Sequence, residues 1–291
     1  MAGLTGLALV RSFKLLAAIA WLAAPFGVAS QSLAPSSDAE VAQLVAEEVS
    51  RHPAVEAGQG AAVGTDHFYA IVNYAIGRYD RATGAVVNQW RGQRGGPFVH
   101  LNSCKLRDEA LTCAHSNFPA LPMASSIERF DPVSLEHIGS HALGAVAGSL
   151  TWLDRHDGSN WAGFAEYDEK GGTPGRDHRW GQIVRYDDDW RRVGGYILPD
   201  SVLSRMAPHS TSGGAFGPDG LLYLSGHDRP ELYALRLPKV GSVLEHVATI
   251  AVPFEGQAFA FAPDVGDRLV YGISRPNRSV VSVRLPRIDL N

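Results

Sequence analysis

Five segments of the chain read alike, and this repetition constrains the fold more than any other feature. The runs FYAIVN, ALTCAH, WAGFAE, LYLSGH and VYGISR align with one another, each after a charged or Gly/Pro turn, and are followed by IGRYD, IERFD, IVRYD, LYALR and VVSVR. A shorter run precedes each pair, and four segments add a further one: GAVVNQW, LEHIGSH, WRRVGGY and LEHVATI. The aligned second runs end at residues 73, 115, 166, 227 and 275, spacings of 42, 51, 61 and 48 residues. Short apolar runs punctuated by Gly, Pro, Asp and Asn, with little helical period, are strands. A four-strand unit repeated at this period is the pattern of a β-propeller. Sandwiches also carry evenly spaced strands, but they do not repeat a whole four-strand unit five times. The expected fold is all-β: a five-bladed β-propeller of four-stranded antiparallel blades.

The fifth unit stops at VVSVRLPRIDLN without its outer run. Upstream, VSRHPAVEAGQG (49–60) matches VATIAVPFEGQA (247–258) in position and in its GQ ending. The segment before Gln59 therefore predicts the missing outer strand of the last blade, so that an N-terminal strand closes the ring and hides its edges. DAEVAQLVAEEV, just ahead, has the spacing of a short amphipathic helix. These readings divide the chain into residues 1–30, 31–48 (a helical lead-in) and 49–291 (the propeller). Apolar residues make up 45% and charged residues 19%, enough for a sizeable core and unlike a disordered chain.

Residues 1–30 stand apart. Arg11 and Lys14 precede LLAAIAWLAA, and small residues follow at Gly27, Val28, Ala29 and Ser30. This is the layout of a secretory signal peptide, with an uncleaved anchor as the alternative. The apolar run from Leu15 to Ala24 is shorter than the roughly 20 residues needed to span a bilayer. The expectation is a periplasmic or secreted protein beginning near Gln31 or Ser32, monomeric and without a membrane span after cleavage. Net charge is −4 with no basic stripe, which argues against nucleic acid as partner. Cys104 and Cys113 are the two cysteines, flanking KLRDEALT. With LRDEA as a hairpin turn they fall opposite each other, and an oxidising compartment favours a disulfide. Two separate buried thiols are the rival reading.

In a propeller, the loops from second to third strand and the crossovers into the next first strand share one face, at the mouth of the channel. The aligned second-strand ends are Asn73, His115, Glu166, His227 and Arg275: polar in every blade, with neighbouring blades carrying different types. A structural repeat is expected to reuse one turn residue, so this variety points to the rim of a pocket. First-strand starts give a second ring, Gln59, Asn102, Ser149, Ser212 and Gln257, with His100 and His209 just before it. Neutral donors and acceptors there suit a polar ligand, or equally a water-filled channel. The long loop YDEKGGTPGRDHRWG brings Asp168, Glu169, Arg176, Asp177 and His178 within reach of the same face, either as a covering element or as solvated surface. SNFPALPMASS offers Phe118, Leu121 and Met123 as a wall beside His115.

The rim residues suit acid–base chemistry on a small polar or anionic molecule. His115, His227 and Glu166 are the candidate catalytic groups, and Arg275 can neutralise a carboxylate or enolate. Lyase, isomerase and lactone reactions fall in this class. A divalent metal is the second reading, with His115, His227, Glu166 and His100 or His209 as ligands, although no HxH or HExxH spacing is present. Oxygen ligands from Glu166 with Asn73 or Asn102 would suit calcium. Nucleophilic chemistry is the weakest, since Ser116, Ser149 and Ser212 lie in no GxSxG. A non-catalytic scaffold that binds a ligand or protein on one face is the alternative to all of these.

HLNS, CAHSNFP, SSIERFD, SGGAFGPDGLLYLSGH and EGQAFAFAP, with the leader and five blades, resemble a family of bacterial exported five-bladed propellers. Some members are labelled cycloisomerase, on a distant likeness to carboxymuconate-cyclase propellers. GPDGLLY is similar to the blade motif of gluconolactonase-like propellers. That second likeness implies a Glu/Asn/Asp calcium set, for which the mouth shows no obvious aspartate.

Overall fold

A computed structural model describes residues 41–145, 148–263 and 268–289. The residues read as a leader lie outside the described residues. Five antiparallel four-stranded sheets follow one another along the chain. From inside outwards, blade one is Gly60–Val63, His67–Val72, Ala75–Asp80 and Val86–Arg91. Blade two is His100–Arg107, Ala110–Ser116, Ser125–Phe130 and His137–Gly144; blade three is Ser149–His156, Ser159–Ala165, Gln182–Tyr186 and Arg192–Ile197. Blade four is Gly213–Phe216, Leu222–Ser225, Glu231–Arg236 and Glu245–Ala251. Blade five is Ala260–Phe261, Leu269–Ser274, Ser279–Arg284 and, from the N-terminal side, Glu47–Pro53. The innermost strands touch in a closed cycle, each against the next and the fifth against the first.

The apolar runs are long where both faces of a strand are covered. Ser159–Ala165 and Leu269–Ser274 are buried at every residue, whereas the outer strand Val86–Arg91 is mostly exposed. Each gap between neighbouring blades holds its own apolar cluster. Ile71 and Ile76 of blade one meet Leu101 and Leu111 of blade two, and Ala114 and Ile127 of blade two meet Phe164 of blade three. Trp152 of blade three packs with Leu224 of blade four, Tyr223 with Val270 of blade five, and Tyr271 of blade five with Phe68 of blade one. Near the axis the approach is closest. A Cβ on Gly60 would stand 2.7 Å from that of Ala258, so the fifth-to-first contact requires glycine there.

Three of the repeats carry an aromatic–Asp pair for a local reason. Tyr79, Phe130 and Tyr186 are buried between blades. The aspartate that follows each accepts backbone N–H groups of the next turn: Asp80 from Ala82 and Thr83, Asp131 from Val133 and Ser134, and Asp187 from Asp189 and Arg191. These turns end on a left-handed residue, Gly84, Leu135 and Trp190 respectively.

Ring closure follows the predicted strand. Glu47–Pro53 runs antiparallel to Ser279–Arg284, with Arg51 opposite Val281. Immediately upstream, the part of the expected helical lead-in that lies among the described residues is not helical: Ala42–Val45 and the start of Glu47–Pro53 are strand, and residues 31–40 lie outside the described residues. Ala42–Val45 adds a fifth, parallel strand to blade four, Ala42 opposite Ala248 and Val45 opposite Ala251. Ala42 and Leu44 pack on the cluster between blades four and five. Pairing to an open sheet edge therefore overrides a helical apolar spacing too short to be stable alone.

Cys104 stands opposite Cys113 on adjacent strands and is bonded to it. Asp108 and Glu109, both at positive φ, form the two-residue hairpin turn between them. Among the described residues no helix is long and apolar enough to cross a membrane.

Candidate functional site at the channel mouth

Fold topology brings the second-to-third loops and the fourth-to-first crossovers to one face, and side chains from successive blades touch there. An arc of rings runs from blade two to blade four. His100 lies 5.0 Å from Phe118, Phe118 4.8 Å from Tyr167, Tyr167 6.3 Å from His209, and His209 4.2 Å from His227, centroid to centroid. Arg275 continues it into blade five, donating from Nη2 to the His227 carbonyl at 2.8 Å. His209 reaches the rim because the helix Asp200–Met206 buries Val202, Leu203 and Met206 and turns the crossover inward.

Hydrogen bonding fixes the tautomers in this cluster. A guanidinium only donates, so the 3.3 Å contact of Arg275 Nη1 makes His227 Nε2 an acceptor and leaves the proton on Nδ1. That Nδ1–H donates to Asp228 Oδ1 at 2.6 Å. His209 Nδ1 donates to the other oxygen, Oδ2, at 3.1 Å. One carboxylate thus orients two imidazoles, and His209 Nε2 has no partner among the described residues. Burial holds the His227 pKa below its ordinary value, with Arg275 adding to the depression and Asp228 opposing it. Asp228 itself is held low by its bonds to the imidazoles, despite partial burial.

His100 begins the innermost strand of blade two, opposite Ser116. Its ring makes no hydrogen bond among the described residues. Burial, then the imidazoles of His115 and His227, pull its pKa down to about 4, so it is neutral at pH 7. Tyr167 stands against the Ser149 hydroxyl, and burial pushes its pKa up to about 12. Ser149 in turn shares a 2.7 Å bond with Ser116.

The remaining predicted positions divide between the mouth and the frame. Gln59 Nε2 donates to Asn73 Oδ1 at 2.8 Å, which engages both amides with each other. Gln257 is buried at φ 150°, a costly conformation outside glycine, and its Nε2 reaches toward the His227 carbonyl at 3.5 Å. Asn102 donates to the Leu150 carbonyl at 3.0 Å, tying blade two to blade three. Ser212 donates its backbone N–H to the Ser225 carbonyl, and no bond of its hydroxyl is seen among the described residues.

Two of the three residues read as catalytic are engaged elsewhere. His115 Nε2 accepts from the Val99 N–H at 3.1 Å, so its Nδ1–H donates to Ser126 Oγ at 3.0 Å. Ser126 passes the chain on to Glu128, which also accepts from Ser140 and His137. The His115 ring faces Phe98, not Phe118. Strand alternation is the cause, since His115 shares its face with Leu111 and Cys113, toward blade one. The expected wall dissolves with it: Phe118 turns to His100, Met123 is buried and Leu121 is exposed.

Glu166 is buried, and its carboxylate accepts from Thr173 N at 3.0 Å, Thr173 Oγ1 at 2.9 Å and Arg176 at 3.5 Å. It anchors the long loop of blade three. Asp168 pins the same loop by accepting from His178 N and Nδ1, while its own N–H donates to the Pro208 carbonyl at 3.2 Å.

A calcium set does not fit these residues, because Glu166 already faces Arg176 and Asn73 faces Gln59. His209, His227 and Asp228 offer ligand atoms close together, as do Asp168, Asp177 and His178. In the first group both Nδ1 atoms carry protons directed at the carboxylate, and a guanidinium stands beside it. In the second, Arg179 holds both oxygens of Asp177. Both arrangements suit hydrogen bonding better than a cation.

Sequence reading missed Asp228 and Tyr167, and it set Phe118 beside His115 where the structure sets it beside His100 and Tyr167. The mouth does hold an aspartate, Asp228, directly after His227, and Tyr167 directly follows Glu166; adjacency to an aligned rim position was the available signal. No protein-family model matches the chain, and no curated protein matches it, so neither the exported family nor the cycloisomerase label gains support from comparison.

Proposed function

We propose that the chain is an exported propeller enzyme that binds a small anionic molecule at the channel mouth and moves a proton on it. Lyase, isomerase and lactone chemistry are the reaction classes in view. One observation carries this reading: the Nε2 of His209, unpartnered among the described residues, with Nδ1–H held by Asp228, beside Arg275 and His227. A lone pair in that position can accept a substrate proton, and the Asp228 carboxylate offsets the positive charge that develops on the ring. Arg275 supports binding of a carboxylate. Neutral His100 and the Tyr167 hydroxyl stand across the arc as hydrogen-bonding groups for a developing oxyanion. The acid–base pair is then His209 with Asp228, in place of the His115 and Glu166 read from sequence.

The test is turnover on a panel of small hydroxy acids, unsaturated carboxylates and lactones. His209→Ala and Asp228→Asn should each lower kcat at least about a hundredfold on a positive substrate, while Arg275→Met should act mainly on KM. Unchanged rates in the first two variants would overturn the assignment. A non-catalytic binding scaffold is the second reading, and the engagement of His115 and Glu166 in structural bonds favours it. It predicts ligand binding that needs Arg275, without turnover on any member of the panel.

A further inference from the structure

Away from the mouth, the apolar cluster between blades two and three leaves part of that gap open. A groove of about 350 Å³ lies there, a volume at the lower end of small-molecule sites. Leu143 of blade two faces Phe164 and Val184 of blade three across an apolar floor. Tyr186 and Trp190 form a corner at one end, ring centroids 5.7 Å apart at 54°. Gln182 and Arg192 stand at the edge.

The neighbouring gap shows what closure of this space looks like. Leu135 occupies the left-handed turn position of blade two and is wholly buried between blades one and two. Trp190 occupies the same position in blade three at φ 59°, which is strained for an aromatic residue, yet it stays partly exposed and lines the groove. The outer strand supplies the second observation. A β-bulge opposite Arg185 and Tyr186 re-aims Arg192, and its guanidinium lies where a Cβ on Gly195 would come within 2.7 Å of Nη2. Glycine at 195 therefore makes room for the guanidinium. The side chains of Gln182, Tyr186 and Arg192 make no hydrogen bond or ion pair among the described residues. Arg192 is close enough to act on the Tyr186 hydroxyl. Asp188 and Asp189, on the adjoining turn, are already paired with Arg155 and Arg191.

We propose that this groove is a binding site, separate from the mouth, for an aromatic monocarboxylate. Its ring lies on the Leu143, Phe164 and Val184 floor against Tyr186 and Trp190, and its carboxylate meets Arg192 and the Gln182 amide. A hydroxyl-rich sugar is disfavoured, because its hydroxyls would lose water against an apolar floor.

The probe is phenylacetate, with 2-phenylethanol and phenethylamine as charge controls, titrated by calorimetry into the full chain. Phenylacetate should bind at least about tenfold more tightly than either control. Arg192→Met should remove that preference while leaving 2-phenylethanol binding unchanged. Leu143→Trp should block the groove, and His227→Ala at the mouth should leave phenylacetate binding intact. No binding to the unsubstituted protein, equal affinity for acid and alcohol, a preference that survives Arg192→Met, or binding abolished by His227→Ala would each overturn the proposal. Arg192→Met alters an exposed edge, so the test stands even where Leu143→Trp fails to fold.

Discussion

His209 lies nearly flat on His227, ring centroids 4.2 Å apart and planes 23° apart. Two stacked imidazoles cannot both be charged at low cost, so the groups that flank them set which proton is held. For His227 those groups act in opposite directions: Asp228 favours the charged form and Arg275 opposes it. Asp228→Asn should move the His227 pKa further down, and Arg275→Met should move it up. Histidine C–H chemical shifts followed through a pH titration read both. A common direction in the two variants would contradict the geometry of the cluster.

Acid sensitivity follows from His100. Its folded pKa of about 4 lies below the unfolded value of about 6.5, so the unfolded chain binds more protons between these limits. The stability tied to its neutral form is complete above pH 6.5 and is lost as pH falls toward 4. The loss is on the order of 3 kcal/mol. His115, His227 and His246, also held low by burial, add in the same direction. Denaturant unfolding of His100→Gln should show a shallower fall over this window than the unsubstituted protein.

Positions read from sequence as one rim should separate by stability. His115→Ala leaves the Val99 N–H and the Ser126 hydroxyl without their partner, and Glu166→Ala releases Thr173 and Arg176. Each should cost about 1–3 kcal/mol of unfolding free energy. His209→Ala removes a half-buried ring at the mouth and should cost less than either. Matched chemical denaturation curves check the order.

The predicted disulfide gives a simple reduction experiment. Cys104 and Cys113 are nine residues apart. Cross-linking so short a loop stabilises by about 2–3 kcal/mol in the chain-entropy description. Cys104→Ala with Cys113→Ala should lower the denaturation midpoint accordingly, and intact mass with and without alkylation establishes the bond itself.

Sequence carried the blade count and the ring closure because both rest on repetition, and repetition survives without any knowledge of contacts. VSRHPAVEAGQG and VATIAVPFEGQA match since both serve as outer strands feeding the next blade. DAEVAQLVAEEV misled because its apolar spacing fits a helix, while the edge that recruits Ala42–Val45 lies more than two hundred residues away in sequence. Rim positions were legible as places but not as functions. Alignment fixes where Asn73, His115 and Glu166 stand, yet side-chain partners decide their roles: Gln59, Val99 and Thr173 engage them. Asp228 escaped notice because it sits one residue past the aligned end, where an irregular loop turns it back onto two histidines.

Removal of Glu47–Pro53 should expose the edge of Ser279–Arg284, and loss of Ala42–Val45 that of Glu245–Ala251. A chain starting at Ala54 should lose several kcal/mol, as expected for a packed element. An unchanged melting temperature would contradict the closure.

The same pairing sets an order of events during synthesis. A ribosome makes Ala42–Pro53 well before the strands these residues pair with, Glu245–Ala251 and Ser279–Arg284. Blades one to three can assemble as they appear, whereas Ala42–Pro53 has its strand partners only once residues 245–284 have been made. Its two strands grip different blades, Ala42–Val45 covering the open edge of blade four and Glu47–Pro53 supplying the fourth strand of blade five, so one short segment ties two neighbouring blades together.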